Sequence, residues 1–179
     1  MDTSVFKEAP FLLQSIAVEL PSYEVRQAIG EAVDQSNSPN GDDLRGGFHE
    51  EGGLYGKTKN GDIKVVPANP GAVAHFGDDE LATVSQRDSK SRADFQSLVQ
   101  IDGYYHIHPS GSGPYYDKKE GRIMLGGFNQ PPSQDDRDFA TLQPRAQHLV
   151  VGAGDKKVYF YNSNETTATF PLKRFLEIK

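Results

Sequence analysis

The sequence predicts an α+β fold, a mixed curved sheet with flanking helices, and two observations carry that reading. Stretches with helical apolar spacing stand among short β-rich runs and tight turns, with no regular strand–helix–strand alternation. The 18 glycines and 11 prolines in 179 residues are too many for a helical bundle. The 36% hydrophobic content is too high for a disordered chain. A chain of this length is expected to form one domain, 1–179.

Taken in order, residues 11–35 read as helix. Leu12, Leu13, Ile16, Ala17 and Leu20 recur at helical spacing until Pro21 interrupts. Ser22 is placed to cap a second amphipathic stretch with Val25, Ile29, Ala32 and Val33 on one face. Residues 36–47 are a loop by composition. Two short strands, 53–55 and 62–67, are joined through Lys59-Asn60-Gly61, where Asn-Gly signals a hairpin. Residues 68–88 show no periodicity. Residues 89–100 read as helix, with Ala93, Leu98 and Val99 inward. Residues 103–108 form an aromatic strand that Pro109 ends. The segment 110–132 presents no convincing element, and structureless connections beyond ~12–15 residues tend to be functional or mobile. Ser133 caps a helix to about residue 143. Residues 148–153 and 156–161 pair across Gly154-Asp155, and 170–178 closes the chain as a short helix or strand.

Composition removes several function classes. The chain has no cysteine, which excludes disulfides, thiolate nucleophiles and cysteine-ligated zinc. Net charge is −6, and the nearest basic set, Arg87, Lys90 and Arg92, is broken by Asp88 and Asp94. Without a basic stripe no nucleic-acid partner is expected. No apolar run reaches the ~18–20 residues of a membrane span. The first ten residues lack the basic and apolar regions of a signal peptide, so the expected location is cytoplasmic, or exported without a classical signal peptide.

Three pieces of sequence carry chemistry. In His106-Ile107-His108-Pro109, residues two apart on a strand face the same way, so two imidazoles form half of a zinc site. Taken alone, the pair also suits one face of a half-exposed strand. In Ser133-Gln134-Asp135-Asp136, a serine followed three residues later by an acid suits a capping box. The same turn can present a carboxylate ligand and a hydroxyl, and Asp135, Asp136 and Asp138 crowd it. The helix dipole alone also favours acids there. In Phe48-His49-Glu50-Glu51-Gly52-Gly53, acids stand directly before a glycine-marked strand, where glycine permits close approach of a backbone or substrate. An acidic turn with a satisfied histidine reads equally well from these residues alone.

In this order the three pieces resemble the JAMM metallopeptidase motif of the JAB1/MPN family: a glutamate before a glycine-containing strand, then His-x-His-Pro, then Ser-x-x-Asp. Glu50 with Gly53, His106-Ile107-His108-Pro109 and Ser133 to Asp136 supply it. The chain looks most like bacterial JAB-like domains of polymorphic-toxin and secretion-associated proteins, over about residues 28–162. One departure is the 24 residues between His108 and Ser133, a much longer connection than the family usually has. It reads as a substrate lid or clamp, or leaves Asp117 as a rival third ligand.

The resemblance implies a cytidine-deaminase-like sheet and one Zn²⁺ per chain held by His106, His108 and Asp136, with an open fourth position. It implies Glu50 as the base beside the water, Ser133 as the donor to the oxyanion, and hydrolysis of a peptide or isopeptide bond. Glu51 is the rival base, although the two acids face opposite sides of an extended segment. His49 has no role in this scheme, and His75 and His148 belong to surface or packing. Tyr104, Tyr105, Tyr115, Tyr116 and Phe128 either line a peptide groove or serve the core and the loop. Implied partners are a protein or peptide substrate and, for an effector or toxin, an immunity or secretion partner. Two rival functions stand beside this one: a non-catalytic JAB1/MPN-type interaction module, and a metal-dependent hydrolase of another bond such as a phosphoester.

Overall fold

The computed structural model describes residues 18–36, 48–74 and 83–178. The helical expectation for residues 11–17 and the loop expectation for 37–47 lie outside them, whereas residues 18–22, also read as helix, are not helical, because Pro21 and the Ser22 cap start the helix after them. Helix α1 (Tyr23–Gln35) starts where expected, with the Ser22 hydroxyl accepting from the Val25 N–H at 3.4 Å. Strands β1 (Glu51–Thr58) and β2 (Ile63–Pro67) follow as an antiparallel hairpin. Its turn places Gly61 at φ +87°, a conformation glycine adopts without steric cost.

Helix α2 (Arg92–Ser97) is shorter than the sequence reading, because the chain turns extended at Leu98. Strand β3 (Leu98–His108) pairs with β1 from Thr58↔Leu98 to Glu51↔Ile107. Val99 is therefore on a strand and 68% exposed, Ala93 is exposed, and the helix packs through Phe95 instead. Cross-strand pairing with β1 outcompetes the local helical pattern here.

The segment 110–132 also departs from expectation. It folds as β4 (Ser112–Asp117) and β5 (Arg122–Gly127), a hairpin that pairs only with itself. Asp117 belongs to its turn, where Oδ1 accepts from the N–H groups of Lys119 and Glu120 at 2.8 and 3.1 Å. It is not part of the His-His-Asp cluster. Tyr116, Ile123 and Leu125 are exposed and Tyr115 and Met124 only half-buried, so among the described side chains this hairpin puts none into the core, and its sequence lacks the apolar alternation by which strands are read. Replacing 112–127 with a short turn is accordingly expected to shift the thermal midpoint by only a few degrees. Loss of cooperative unfolding in that variant would make the hairpin part of the core.

Helix α3 (Gln134–Leu142) then leads into β6 (Gln147–Gly152), β7 (Lys157–Tyr161), β8 (Thr166–Pro171) and α4 (Leu172–Glu177). The residues left open as helix or strand at 170–178 are thus the end of β8 and then α4. The main sheet runs β2-β1-β3-β6-β7-β8. Among the described residues only β3 and β6 pair in parallel, and such a pair needs a long crossover, supplied here by the β4–β5 hairpin and α3.

Alternation along the central strands sorts their side chains onto two faces. Tyr105, Ile107, Leu149 and Val151 pack with Val25, Ile29 and Phe175 of α1 and α4. On the opposite face Tyr104 packs with Leu54 and Val66, and Val150 with Ala140 of α3. That face carries His106 and His108 at the C-terminal end of β3, beside the start of α3. His148 is a packing residue, buried and stacked on Tyr104 with ring centroids 5.7 Å apart.

Candidate metal centre

The two histidines expected on one face are there, and both are buried, 2% and 5% exposed. A half-exposed strand face is not what β3 presents at this end. Gly52 lies opposite His106 in the β1–β3 register. A Cβ at Gly52 would sit 2.8 Å from the Tyr105 carbonyl and 3.1 Å from the His106 Cβ, so glycine lets β1 close on the histidine strand.

Asp136 reaches the pair from the first turn of α3. The Ser133 hydroxyl accepts from the Asp136 N–H at 3.2 Å. The Ser133 N–H and hydroxyl donate to Asp136 Oδ2 at 2.6 and 2.7 Å, completing a capping box. The capping and ligand readings of this motif are therefore compatible. The cap holds one carboxylate oxygen, and Oδ1 stands 2.9 Å from His106 Nε2.

Ligand atoms of His106, His108 and Asp136 lie within 4.8 Å of one another, a cluster able to hold a metal ion. The two Nε2 atoms are 3.1 Å apart, and Asp136 Oδ2 is 3.6 Å from His108 Nε2. Tetrahedral ligands at ~2.0–2.1 Å from a zinc ion stand about 3.3–3.4 Å from each other. The observed separations bracket that figure. His108 Nδ1 faces the Gln130 carbonyl at 3.2 Å. A carbonyl can only accept, so Nδ1 carries the proton and Nε2 turns a lone pair toward the cluster.

Electrostatics fits the same use. Burial, aided by the neighbouring His106, lowers His108 to about 4 and keeps it neutral. Burial alone would lower His106, but Asp136 and Glu50 outweigh it and raise this group. Burial of Asp136 opposes ionisation, yet His106, His108 and the Ser133 hydroxyl hold its carboxyl well below the usual range.

Glu50 precedes β1 and points into the same cleft, its Oε1 3.7 Å from His108 Nε2. Burial drives its carboxyl up from 4.5 to about 7, with His106 opposing the rise and Asp136 adding to it. Glu51 faces away. Its carboxylate meets His49 Nε2 at 3.2 Å and Lys90 Nζ at 3.4 Å, which gives His49 a partner and removes the rival base from the cleft. Below pH 4.5 Glu50 is protonated in folded and unfolded chains alike. As pH rises toward 7 the unfolded chain loses this proton first, so stability falls across that window and levels off above it. Glu50→Gln removes the loss. In metal-free protein the variant is expected to be more stable than wild type at pH 8 by roughly 1–3 kcal/mol, and nearly equal at pH 4. Urea unfolding in chelator at both pH values checks this; a difference independent of pH would contradict it.

A cleft of about 340 Å³ joins these groups, lined also by Val84, Gln86, Pro109, Phe128 and Phe139. Among the aromatic residues singled out in sequence, Tyr104 and Tyr105 are buried in the core, Tyr116 is exposed on the hairpin, and Phe128 reaches the cleft. Asp135 lines the wall outside the ligand cluster, and Asp138 is bonded to Gln134 on the exposed side of α3. His75 lies outside the described residues.

Two residues at the centre carried no sequence signal. Gln86, from an aperiodic stretch, sets its amide 3.1 Å from His106 Nδ1. Gln130, from the long connection, donates from Nε2 to the carbonyls of Phe128 and Pro109 at 2.8 and 3.1 Å. Its Oε1 accepts from the Gly154 N–H at 2.6 Å, so one side chain ties the hairpin base to the β6–β7 turn and fixes the carbonyl that meets His108. No family model, curated protein or solved structure matches the chain, so its functional reading rests on the geometry of this centre.

Proposed function

We propose that this chain is a zinc-dependent peptidase or isopeptidase of JAMM-like mechanism, acting on a protein or peptide. The observation that carries the reading is the placement of Glu50. A buried carboxyl stands beside a cluster able to hold a metal, outside its ligand set and open to the cleft. A general base must stand within reach of the water whose proton it takes, and this placement meets that requirement.

Zinc, bound by His106, His108 and Asp136, would polarise the scissile carbonyl and acidify water. The remaining work belongs to the chain. Glu50 takes the proton from the attacking water and returns it to the leaving amine, so one carboxylate serves as base and then as acid. Ser133 stands at the mouth of α3 with its hydroxyl on Asp136 Oδ2. When carbonyl oxygen becomes negative, this hydroxyl turns to it, while the Ser133 N–H keeps Asp136 in place. Phe128, Phe139, Val84 and Pro109 supply apolar walls for a peptide side chain and limit water at the reacting bond.

The test is zinc content of purified protein together with cleavage of a peptide library, lysine-isopeptide substrates and a phosphodiester. Bound zinc with chelator-sensitive amide cleavage supports the proposal. A metal-free protein with no hydrolysis would favour an interaction module, and cleavage of the phosphodiester alone would redirect the reading to another bond.

A further inference from the structure

The two histidines of the cluster are held at Nδ1 by chemically different partners. His108 meets a backbone carbonyl, which only accepts and therefore fixes one tautomer. His106 meets the side-chain amide of Gln86, which offers a donor at one end and an acceptor at the other. Gln86 is 8% exposed, and its loop is anchored independently of the cluster. The Asn69 N–H donates to the Asp88 carbonyl at 2.7 Å, and the Lys90 N–H to the Pro67 carbonyl at 2.9 Å. The amide is thus a fixed neighbour of His106 that can change its polarity without moving the backbone.

The Gln86 Nε2 lies toward Nδ1 and donates to it. A neutral His106 then carries its proton on Nε2 and donates it to Asp136 Oδ1, 2.9 Å away. Every polar atom in that line is satisfied, but the nitrogen that must ligate is protonated. Metal ligation needs the other tautomer, with the proton on Nδ1 and an acceptor facing it. A half-turn of the amide supplies that acceptor, because its oxygen and nitrogen are nearly isosteric.

Building on the metal-binding reading, we propose that Gln86 is a positioning residue that sets the tautomer of His106. In the metal-loaded protein its Oε1 accepts from Nδ1–H and leaves the Nε2 lone pair to the cation. One histidine of the cluster is preset by backbone, and the other by a side chain that can face it with either end.

The test compares Zn²⁺ affinity, by chelator competition, in wild type, Gln86→Leu and the near-isosteric Gln86→Glu. Thermal melts of the metal-free proteins run beside it, with histidine ¹⁵N spectra of the zinc-loaded wild type. Gln86→Leu is expected to fold normally and bind Zn²⁺ ~10–100-fold more weakly, the usual effect of losing the hydrogen-bond partner of a ligating histidine. Gln86→Glu, which can only accept, is expected to bind at least as tightly as wild type, and the loaded wild type to show His106 protonated on Nδ1. Wild-type affinity in Gln86→Leu, equal weakening in Gln86→Glu, or a zinc-loaded His106 protonated on Nε2 would overturn the role of Gln86 while leaving the metal centre standing. A wild type that binds no Zn²⁺ would remove the metal reading and this inference together.

Discussion

Glu50→Gln is expected to lose turnover by on the order of 10²–10⁴-fold while still binding metal. Its carboxylate stands outside the cluster of ligand atoms, whereas Asp136 is one of that cluster's three members. The amide preserves shape and removes only the capacity to take and return a proton. Glu51→Gln provides the contrast. Glu51 points to His49 and to the half-exposed Lys90, so its loss should cost some stability and little turnover. Metal stoichiometry and amide hydrolysis, measured side by side, separate the two acids. An active Glu50→Gln beside an inactive Glu51→Gln would move the base by one residue, and full activity in both with metal bound would sink the mechanism.

These two neighbouring glutamates also mark what the sequence made legible. Opposed directions at positions 50 and 51, and shared direction at 106 and 108, follow from the two-residue period of extended chain. Ser133 and Asp136 were legible for a related reason, since a capping box is a local hydrogen-bond pattern within four residues. Ser22 at the start of α1 and Asn60-Gly61 in the first turn belong to the same class.

Features decided by distant pairing were not legible. The register of β3 against β1 turns residues 98–100, the end of the stretch read as helix, into strand. The β4–β5 hairpin satisfies its backbone against itself and leaves Tyr116, Ile123 and Leu125 exposed, so no buried face writes a pattern into its sequence. Gln86 reaches His106 across 20 positions, and Gln130 reaches Gly154 across 24. Contacts at that separation depend on the assembled sheet rather than on any local preference.

Asp136→Asn should fail in a different way from Glu50→Gln, losing the metal and with it the activity. Asp136 performs two tasks with its two oxygens. Oδ2 receives the Ser133 N–H and hydroxyl, and Oδ1 faces His106 Nε2. An asparagine has one acceptor for both. If its oxygen stays on the cap, its NH₂ group points at the histidines and repels a cation. If the oxygen turns to the metal, the amide nitrogen faces the Ser133 N–H and the return bond of the capping box is lost, at a cost of about 1 kcal/mol. The anionic charge disappears in either orientation, and with it the interaction that raises His106. Zn²⁺ affinity is therefore expected to fall by at least the ~10–100-fold seen when only a partner of a ligand is lost. Asp135→Asn, on the same turn but outside the cluster, should retain both metal and fold. Zinc titration of the two variants, followed by thermal melts with and without metal, provides the measurement. Stabilisation by Zn²⁺ should persist in Asp135→Asn and vanish in Asp136→Asn. Equal stabilisation in both would remove Asp136 from the ligand set and leave it only the cap of α3.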